Sequence, residues 1–140
     1  MRGTERLEEG LSQNGVYVYG AGRWVLSEKI PLDADGFYVV YFSNTMCGAC
    51  RKFNETWFKL TKELSGATFV VVLCDWFARS CRSETAKRLF EIFDVHVSPT
   101  LVFLVRENGK ITRMYKHEGT ITAEGFLAVF DAFKRALGEK

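Results

Sequence analysis

Phe37-Tyr38-Val39-Val40-Tyr41-Phe42-Ser43-Asn44-Thr45-Met46-Cys47-Gly48-Ala49-Cys50-Arg51-Lys52-Phe53 carries the organising pattern of this 140-residue chain. Its first six residues are apolar or aromatic, a run suited to a buried strand. A short polar turn follows, and Cys-x-x-Cys then opens a helix. Phe53, Trp57, Leu60 and Leu64 recur at i, i+4, i+7 and i+11, the spacing of one helix face. A thiol in the first turn of that helix faces backbone N–H groups without intrahelical partners and the positive end of the macrodipole. Both favour thiolate over thiol, so Cys47 is placed to act as a nucleophile at neutral pH. Cys50 lies one helical turn on, within disulfide reach. The pair is a candidate redox couple.

C-terminal to this unit, Gly66 is a natural helix stop. Thr68-Phe69-Val70-Val71-Val72-Leu73-Cys74 is an uninterrupted apolar run of the kind that forms an interior parallel strand. Its expected partner is the strand over residues 38–42, with the cysteine-bearing helix as the crossover. Residues 75–80 read as a loop, and a helix follows with Ala86, Leu89, Phe90 and Phe93 on one face. Residues 101–106 and 111–116 flank Asn108-Gly109, a tight-hairpin dipeptide. Gly119 and Thr122 lead into a last helix with Phe126, Phe130, Phe133 and Leu137 inward and Gly138 at its end. On the N-terminal side, residues 16–19 and 23–26 predict two short strands around Gly20-Ala21-Gly22, and residues 31–36 a turn-rich connector. Residues 1–15 are polar, with a short helical turn expected over 5–11 and a mobile end. This order predicts an α/β fold in which a central mixed β-sheet is flanked by helices on both faces.

With 47% hydrophobic residues, 12 of them Phe, the chain suits a single domain with one substantial core. A net charge of +2, spread over interleaved acidic and basic residues, gives no footprint for nucleic acid or an anionic membrane. Residues 1–9 lack the apolar region of a signal peptide and carry acidic side chains. No apolar run is long enough to span a bilayer. A cytoplasmic monomer is expected. Four cysteines in that compartment are usually reduced, metal-bound or catalytic, although a hyperthermophile cytosol also keeps structural disulfides. The single Gln, Gln13, leans toward such a host.

The strand, Cys-x-x-Cys and helix, taken with Val97-Ser98-Pro99-Thr100-Leu101-Val102-Phe103 and Glu107-Asn108-Gly109-Lys110, resemble the thioredoxin family. The resemblance covers residues 37–138 as a thioredoxin-like core. Residues 1–36 form an N-terminal extension with divergent first strands, within one domain over 1–140. In the family a strand and then a helix normally precede the central strand, and no helical period is found here. The resemblance implies a thioredoxin-like fold and a protein-disulfide oxidoreductase. Cys47 is then the exposed attacking sulfur and Cys50 the buried resolving one. Attack on a target disulfide gives a mixed disulfide at Cys47, which Cys50 resolves by closing the Cys47–Cys50 bond. Pro99 is implied to be a cis proline packed against the pair, with Ser98 offering backbone groups to an extended substrate strand. The implied partners are protein or peptide disulfides and a thiol-donating reductase. No cofactor or metal is implied.

Several positions depart from the family pattern. Met46 stands where a tryptophan is usual, and Gly48 and Ala49 where a proline is typical. Tyr41 stands six positions before the first cysteine, where an acidic residue is thought to assist proton transfer from the resolving cysteine. Asp75 and a water molecule are the two substitutes left open. Met46 and Trp76 are candidate substrate contacts. Trp76 and Phe77 either replace the missing tryptophan as a docking surface or cover the core. Arg51 either adds positive potential near Cys47 or is plain solvated charge; His96 is expected at the surface and His117 in a structural role. The alternative functions are a non-enzymatic thioredoxin-like binding module and a cysteine-based zinc-binding domain. Cys74 and Cys81 are not a standard pair of the family. Cys74 ends a strand, Cys81 precedes a helix, and a loop that short can bring them to disulfide distance. A structural bridge is expected, with a redox relay to Cys47–Cys50 and two free thiols as the alternatives.

Overall fold

The central apolar run is buried on both sides because each side has its own helical cover. In the computed structural model, which describes residue 11 and residues 13–138, the run forms β3 (Gly36–Asn44). Phe37, Val39 and Tyr41 face one way, and Tyr38, Val40 and Phe42 the other, as the two-residue period of a strand requires. α1 (Gly48–Glu63) and α3 (Ala123–Gly138) cover the first side, and α2 (Glu84–Ile92) covers the second. β4 (Thr68–Cys74) pairs in parallel with β3 from Tyr38↔Thr68 to Asn44↔Cys74, with α1 as the crossover. β5 (Thr100–Glu107) runs antiparallel to β3 and turns through Asn108 and Gly109, both at positive φ, into β6 (Lys110–Glu118). The backbone N–H groups of Asn108 and Gly109 donate to the Asp35 carboxylate at 2.8 and 3.0 Å, tying this turn to the start of β3.

The N-terminal edge departs from the family order in the way the missing helical period suggested. β1 (Gly15–Gly20) and β2 (Arg23–Ser27) form a hairpin, and β1 lies antiparallel to β4, from Gly15↔Leu73 to Val18↔Val70. Among the described residues no helix lies between β2 and β3. The segment linking them carries Pro31 and Asp33 and no apolar face of helical spacing. The result is a six-stranded mixed sheet in the order β2-β1-β4-β3-β5-β6. The helical turn expected over 5–11 lies, apart from Leu11, outside the described residues.

The helix faces follow the sequence spacing, with shifts at their ends. Phe53, Trp57 and Leu60 are buried, but α1 stops at Glu63 and Leu64 becomes its C-cap, with its N–H on the Leu60 carbonyl at 2.9 Å. Gly66, at φ +97°, then turns the chain toward β4. Phe93 likewise caps α2 and packs on Phe42. Trp57 is the centre of the larger core. It is fully buried, with ring centroids at 5.1 Å from Tyr41, 5.9 Å from Phe69, 6.1 Å from Trp24 and 6.2 Å from Phe126. Removing that ring leaves a cavity bordered by four elements, so Trp57→Ala is expected to cost about 3–5 kcal/mol in urea unfolding. Trp57→Phe keeps a ring and removes a buried indole N–H that has no partner among the described residues, so it is expected to cost clearly less. Equal unfolding midpoints for wild type and Trp57→Ala would contradict this packing.

Candidate active site

Strand pairing carries the chain from β3 to the two cysteines. Beyond Asn44, the Thr45 N–H donates to the Cys74 carbonyl at 2.9 Å and the Met46 N–H to the Asp75 carbonyl at 3.3 Å. The turn is thereby held against the end of β4. Cys47 follows as the N-cap of α1, with extended backbone, and its sulfur accepts the Cys50 N–H at 3.1 Å. A sulfur thus occupies the position that Ser, Thr or Asp usually fills at a helix start.

A second loop closes over the first sulfur. The Ser98–Pro99 peptide is cis, and the Ser98 carbonyl lies 3.7 Å from Cys47 Sγ as acceptor of its thiol. Cys47 is 7% exposed and Cys50 1%. The expectation of an exposed Cys47 is therefore corrected: its sulfur is the less buried of the two, but the Ser98 carbonyl and the helix start cover most of it. Met46, at 68% exposure, is the open neighbour.

Cys50 sits in a different environment. Burial, with a smaller contribution from its hydrogen bond to Cys47, pushes its thiol up to about 11; the Asn44 N–H and the Ser43 hydroxyl act in the opposite direction. Tyr41 lies beneath it. The Tyr41 hydroxyl donates to Asn54 Oδ1 at 2.6 Å, and the Cys50 carbonyl is 3.1 Å away. Burial raises the Tyr41 phenol well above its ordinary value, so it stays neutral.

Asp75, one of the two open substitutes for the family's carboxylate, is committed elsewhere. Its Oδ1 accepts from Asn14 Nδ2 at 3.0 Å and from the Thr45 hydroxyl at 2.7 Å, and Arg82 lies 3.7 Å from Oδ2. The Asn14 amide, then the Thr45 hydroxyl, hold its carboxyl below the usual range. Asn14 Oδ1 also accepts the Arg82 N–H at 2.8 Å, so one buried amide ties the start of β1 to the loop after β4. Asn44 Oδ1 accepts the Phe77 N–H at 2.7 Å and pins the same loop to β3. Sequence reasoning missed Asn14, Ser43, Asn44 and Asn54. For Asn14, Ser43 and Asn44 the available signal was polar side chains at the ends of otherwise apolar strands; Asn54, within α1, carried none.

The loop that these bonds hold is also closed covalently. Cys74 and Cys81 are disulfide-bonded, with Cα atoms 4.6 Å apart. That bond removes two of the four sulfurs a zinc site would use. Trp76 and Phe77 differ in exposure. Trp76 is 42% exposed and sets its ring edge-on against Phe77, whereas Phe77 packs on Phe90 of the core. Arg51 Nη1 donates to the Thr45 carbonyl at 3.3 Å. His96 is exposed and bonded to Asp94, and His117 bonds the Thr120 carbonyl at 3.1 Å. Neither histidine meets the cysteines.

A cysteine capping a helix at the carboxyl end of an interior parallel strand, opposite a cis-proline loop, points to one family. The model of the thioredoxin-like domain matches residues 29–134, and the chain belongs to that family. No curated protein sequence matches the chain. Among solved structures, thioredoxin from Aeropyrum pernix is 22% identical with a TM-score of 0.62, over 89% of this chain and 96% of that one. Trichomonas vaginalis thioredoxin is 20% identical with a TM-score of 0.56, over 70% and 79%. A thioredoxin f2 structure solved in complex with ferredoxin:thioredoxin reductase is 17% identical with a TM-score of 0.53, over 75% and 84%. At these identities the likeness is one of fold.

The asymmetry between the two sulfurs is measurable. In a Cys47→Ala variant the Cys47 hydrogen bond is gone but burial remains. Cys50 is then expected to titrate above the ordinary cysteine value of 9.0, followed by far-ultraviolet thiolate absorbance. A midpoint at or below that value would show that Cys50 is not held neutral by its surroundings.

Proposed function

We propose that this chain is a thiol–disulfide oxidoreductase that reduces or exchanges protein or peptide disulfides through Cys47 and Cys50. The observation that carries the reading is the placement of Cys47: its sulfur caps α1, accepts the Cys50 N–H at 3.1 Å and lies against the Ser98 carbonyl. Attack by the Cys47 thiolate on a substrate disulfide forms a mixed disulfide and releases one substrate sulfur as thiolate. Cys50 loses its proton and attacks Cys47 Sγ, which forms the Cys47–Cys50 bond and releases the second substrate sulfur. The substrate gains two electrons, and a thiol-donating reductase returns them to the pair. The thioredoxin f2 relative, solved with such a reductase, supports that partner.

Docking is assigned to the rim around Cys47. Met46 and Trp76 offer exposed apolar surface, and Ser98, ahead of Pro99, offers backbone groups to an extended peptide. Residues 1–140 act as one thioredoxin-like unit, as a monomer in the cytoplasm. Among the described residues no helix is long and apolar enough to cross a membrane. Cys74–Cys81 serves as a structural bridge that fixes the loop carrying Trp76.

Three variants test this assignment. Cys47→Ser is expected to reduce disulfide turnover to background, and Cys50→Ser to accumulate a mixed disulfide visible on a non-reducing gel. Retention of most activity by Cys47→Ser would remove Cys47 as nucleophile. Non-reducing peptide mapping is expected to recover a linkage between Cys74 and Cys81. In the chain-entropy account, closing a loop of about eight residues contributes roughly 2.5 kcal/mol. Cys81→Ser is therefore expected to lower the melting temperature and spare turnover. An unchanged melting temperature with collapsed turnover would replace the structural bridge by a redox relay.

A further inference from the structure

Closing the Cys47–Cys50 bond requires a buried thiol to lose its proton, and that proton needs a way out. The residues that flank Cys50, though not Cys50 itself, line a candidate exit. A cleft of about 170 Å³ opens between the end of β3 and α1, with Tyr41, Ser43, Asn44, Thr45, Arg51 and Asn54 among its lining residues. Ser43 and Asn44 are buried polar residues at the end of a strand that is otherwise apolar. Ser43 lies two residues past Tyr41 on the same face of β3, the face on which the Tyr41 hydroxyl meets the Cys50 carbonyl. The Asn44 N–H and the Ser43 hydroxyl both act to lower the Cys50 thiol. Asn44 Oδ1 is taken by Phe77, while its Nδ2 is buried with no partner among the described residues. A buried amide donor of this kind is normally satisfied by solvent. Each water occupies about 30 Å³ of liquid, so the cleft has room for several.

We propose that Ser43, with solvent held in this cleft, is the proton route for Cys50. The inference rests on the oxidoreductase reading above. As the Cys50 sulfur attacks Cys47, the Ser43 oxygen accepts the thiol proton and its own proton passes to cleft solvent. The Cys50 S–H bond breaks, the Cys47–Cys50 bond forms, and the bond from Cys47 to substrate breaks with its electron pair leaving on the substrate sulfur. No further oxidant enters. The other groups around Cys50 are unsuited to the role. Tyr41 commits its proton to Asn54, and burial keeps the phenol neutral. Arg51 is a permanent cation that donates to the Thr45 carbonyl. Asp75 is engaged by Asn14, Thr45 and Arg82. Cys47 is uncharged while bonded to substrate. Among the described residues that line the cleft, none is a carboxylate. Thr45 commits its hydroxyl to Asp75, which leaves Ser43 as the cleft hydroxyl able both to accept and to donate.

The test separates the two chemical steps. A symmetrical nitroaryl disulfide releases one coloured thiolate on attack by Cys47 and a second when Cys50 closes the bond. In Ser43→Ala the first release is expected to match wild type. The second is expected to slow roughly a hundredfold near neutral pH, the lower end of the scale for a lost proton-transfer group. The deficit shrinks at alkaline pH, where hydroxide takes the proton directly, and Ser43→Thr, which keeps the hydroxyl, restores the rate. An unchanged second release in Ser43→Ala across the pH range would overturn the proposal, as would slowing in Tyr41→Phe but not in Ser43→Ala. Should Ser43→Ala fail to fold, wild type decides the matter. Its second release is expected to show a solvent deuterium effect of about twofold or more that the first lacks, and equal effects would overturn the proposal. Absence of the first release altogether would instead remove the oxidoreductase reading itself.

Discussion

The parallel pairing of β3 with β4 is the constraint on which the rest of the structure depends. It runs without a break from Tyr38↔Thr68 to Asn44↔Cys74, and the Thr45 and Met46 N–H groups extend it past the strand end onto the Cys74 and Asp75 carbonyls. Both strands are buried on two faces, so a slip of one residue would turn aromatic side chains from one helical layer into the other. The position at which β3 releases the chain into α1 is therefore determined by core packing. Cys47 stands at that position, which makes its location a consequence of the whole sheet.

From this frame the two sulfurs acquire different surroundings. Cys47 caps the helix at the edge of the sheet, whereas Cys50 is drawn one turn inward against Tyr41 and Ser43 and is held neutral by burial. On the proposed reading the two steps of an exchange fall to different sulfurs, with Cys47, the less buried of the two, meeting the substrate and Cys50 reserved until a partner occupies the first. Burial of Cys50 carries a kinetic cost, because a neutral thiol is a poor nucleophile. The proposed route through Ser43 would meet that cost at the polar end of β3.

Much of this was legible from spacing alone. The two-sided burial of residues 37–42, the apolar run at 68–74, the helix face through Phe53, Trp57 and Leu60 and the Asn108-Gly109 turn are local patterns with one physical solution each. The parts that escaped depend on contacts between distant segments. Nothing near Asn14 in sequence indicates that its amide bonds both Asp75 and Arg82, some sixty residues away. Nothing near Gly15 indicates that β1 runs antiparallel to β4. Ser43 and Asn44 read as an ordinary polar turn, and their burial became visible only with α1 and the 75–81 loop in place. The family resemblance implied that the Ser98–Pro99 loop meets the pair, but not that the Ser98 carbonyl, fifty-one residues away, covers Cys47.

The central claim is that electrons pass through Cys47 and Cys50 and no other pair of this chain. Differential alkylation with mass spectrometry, before and after the reduced protein meets one equivalent of a peptide disulfide, tests it most directly. The account predicts that both thiols are labelled before the reaction, that both become protected as a Cys47–Cys50 linkage afterwards, and that the Cys74–Cys81 linkage is the same in both samples. Peptide reduction with Cys47 and Cys50 still open to label, or with the change falling on Cys74 and Cys81, would contradict it.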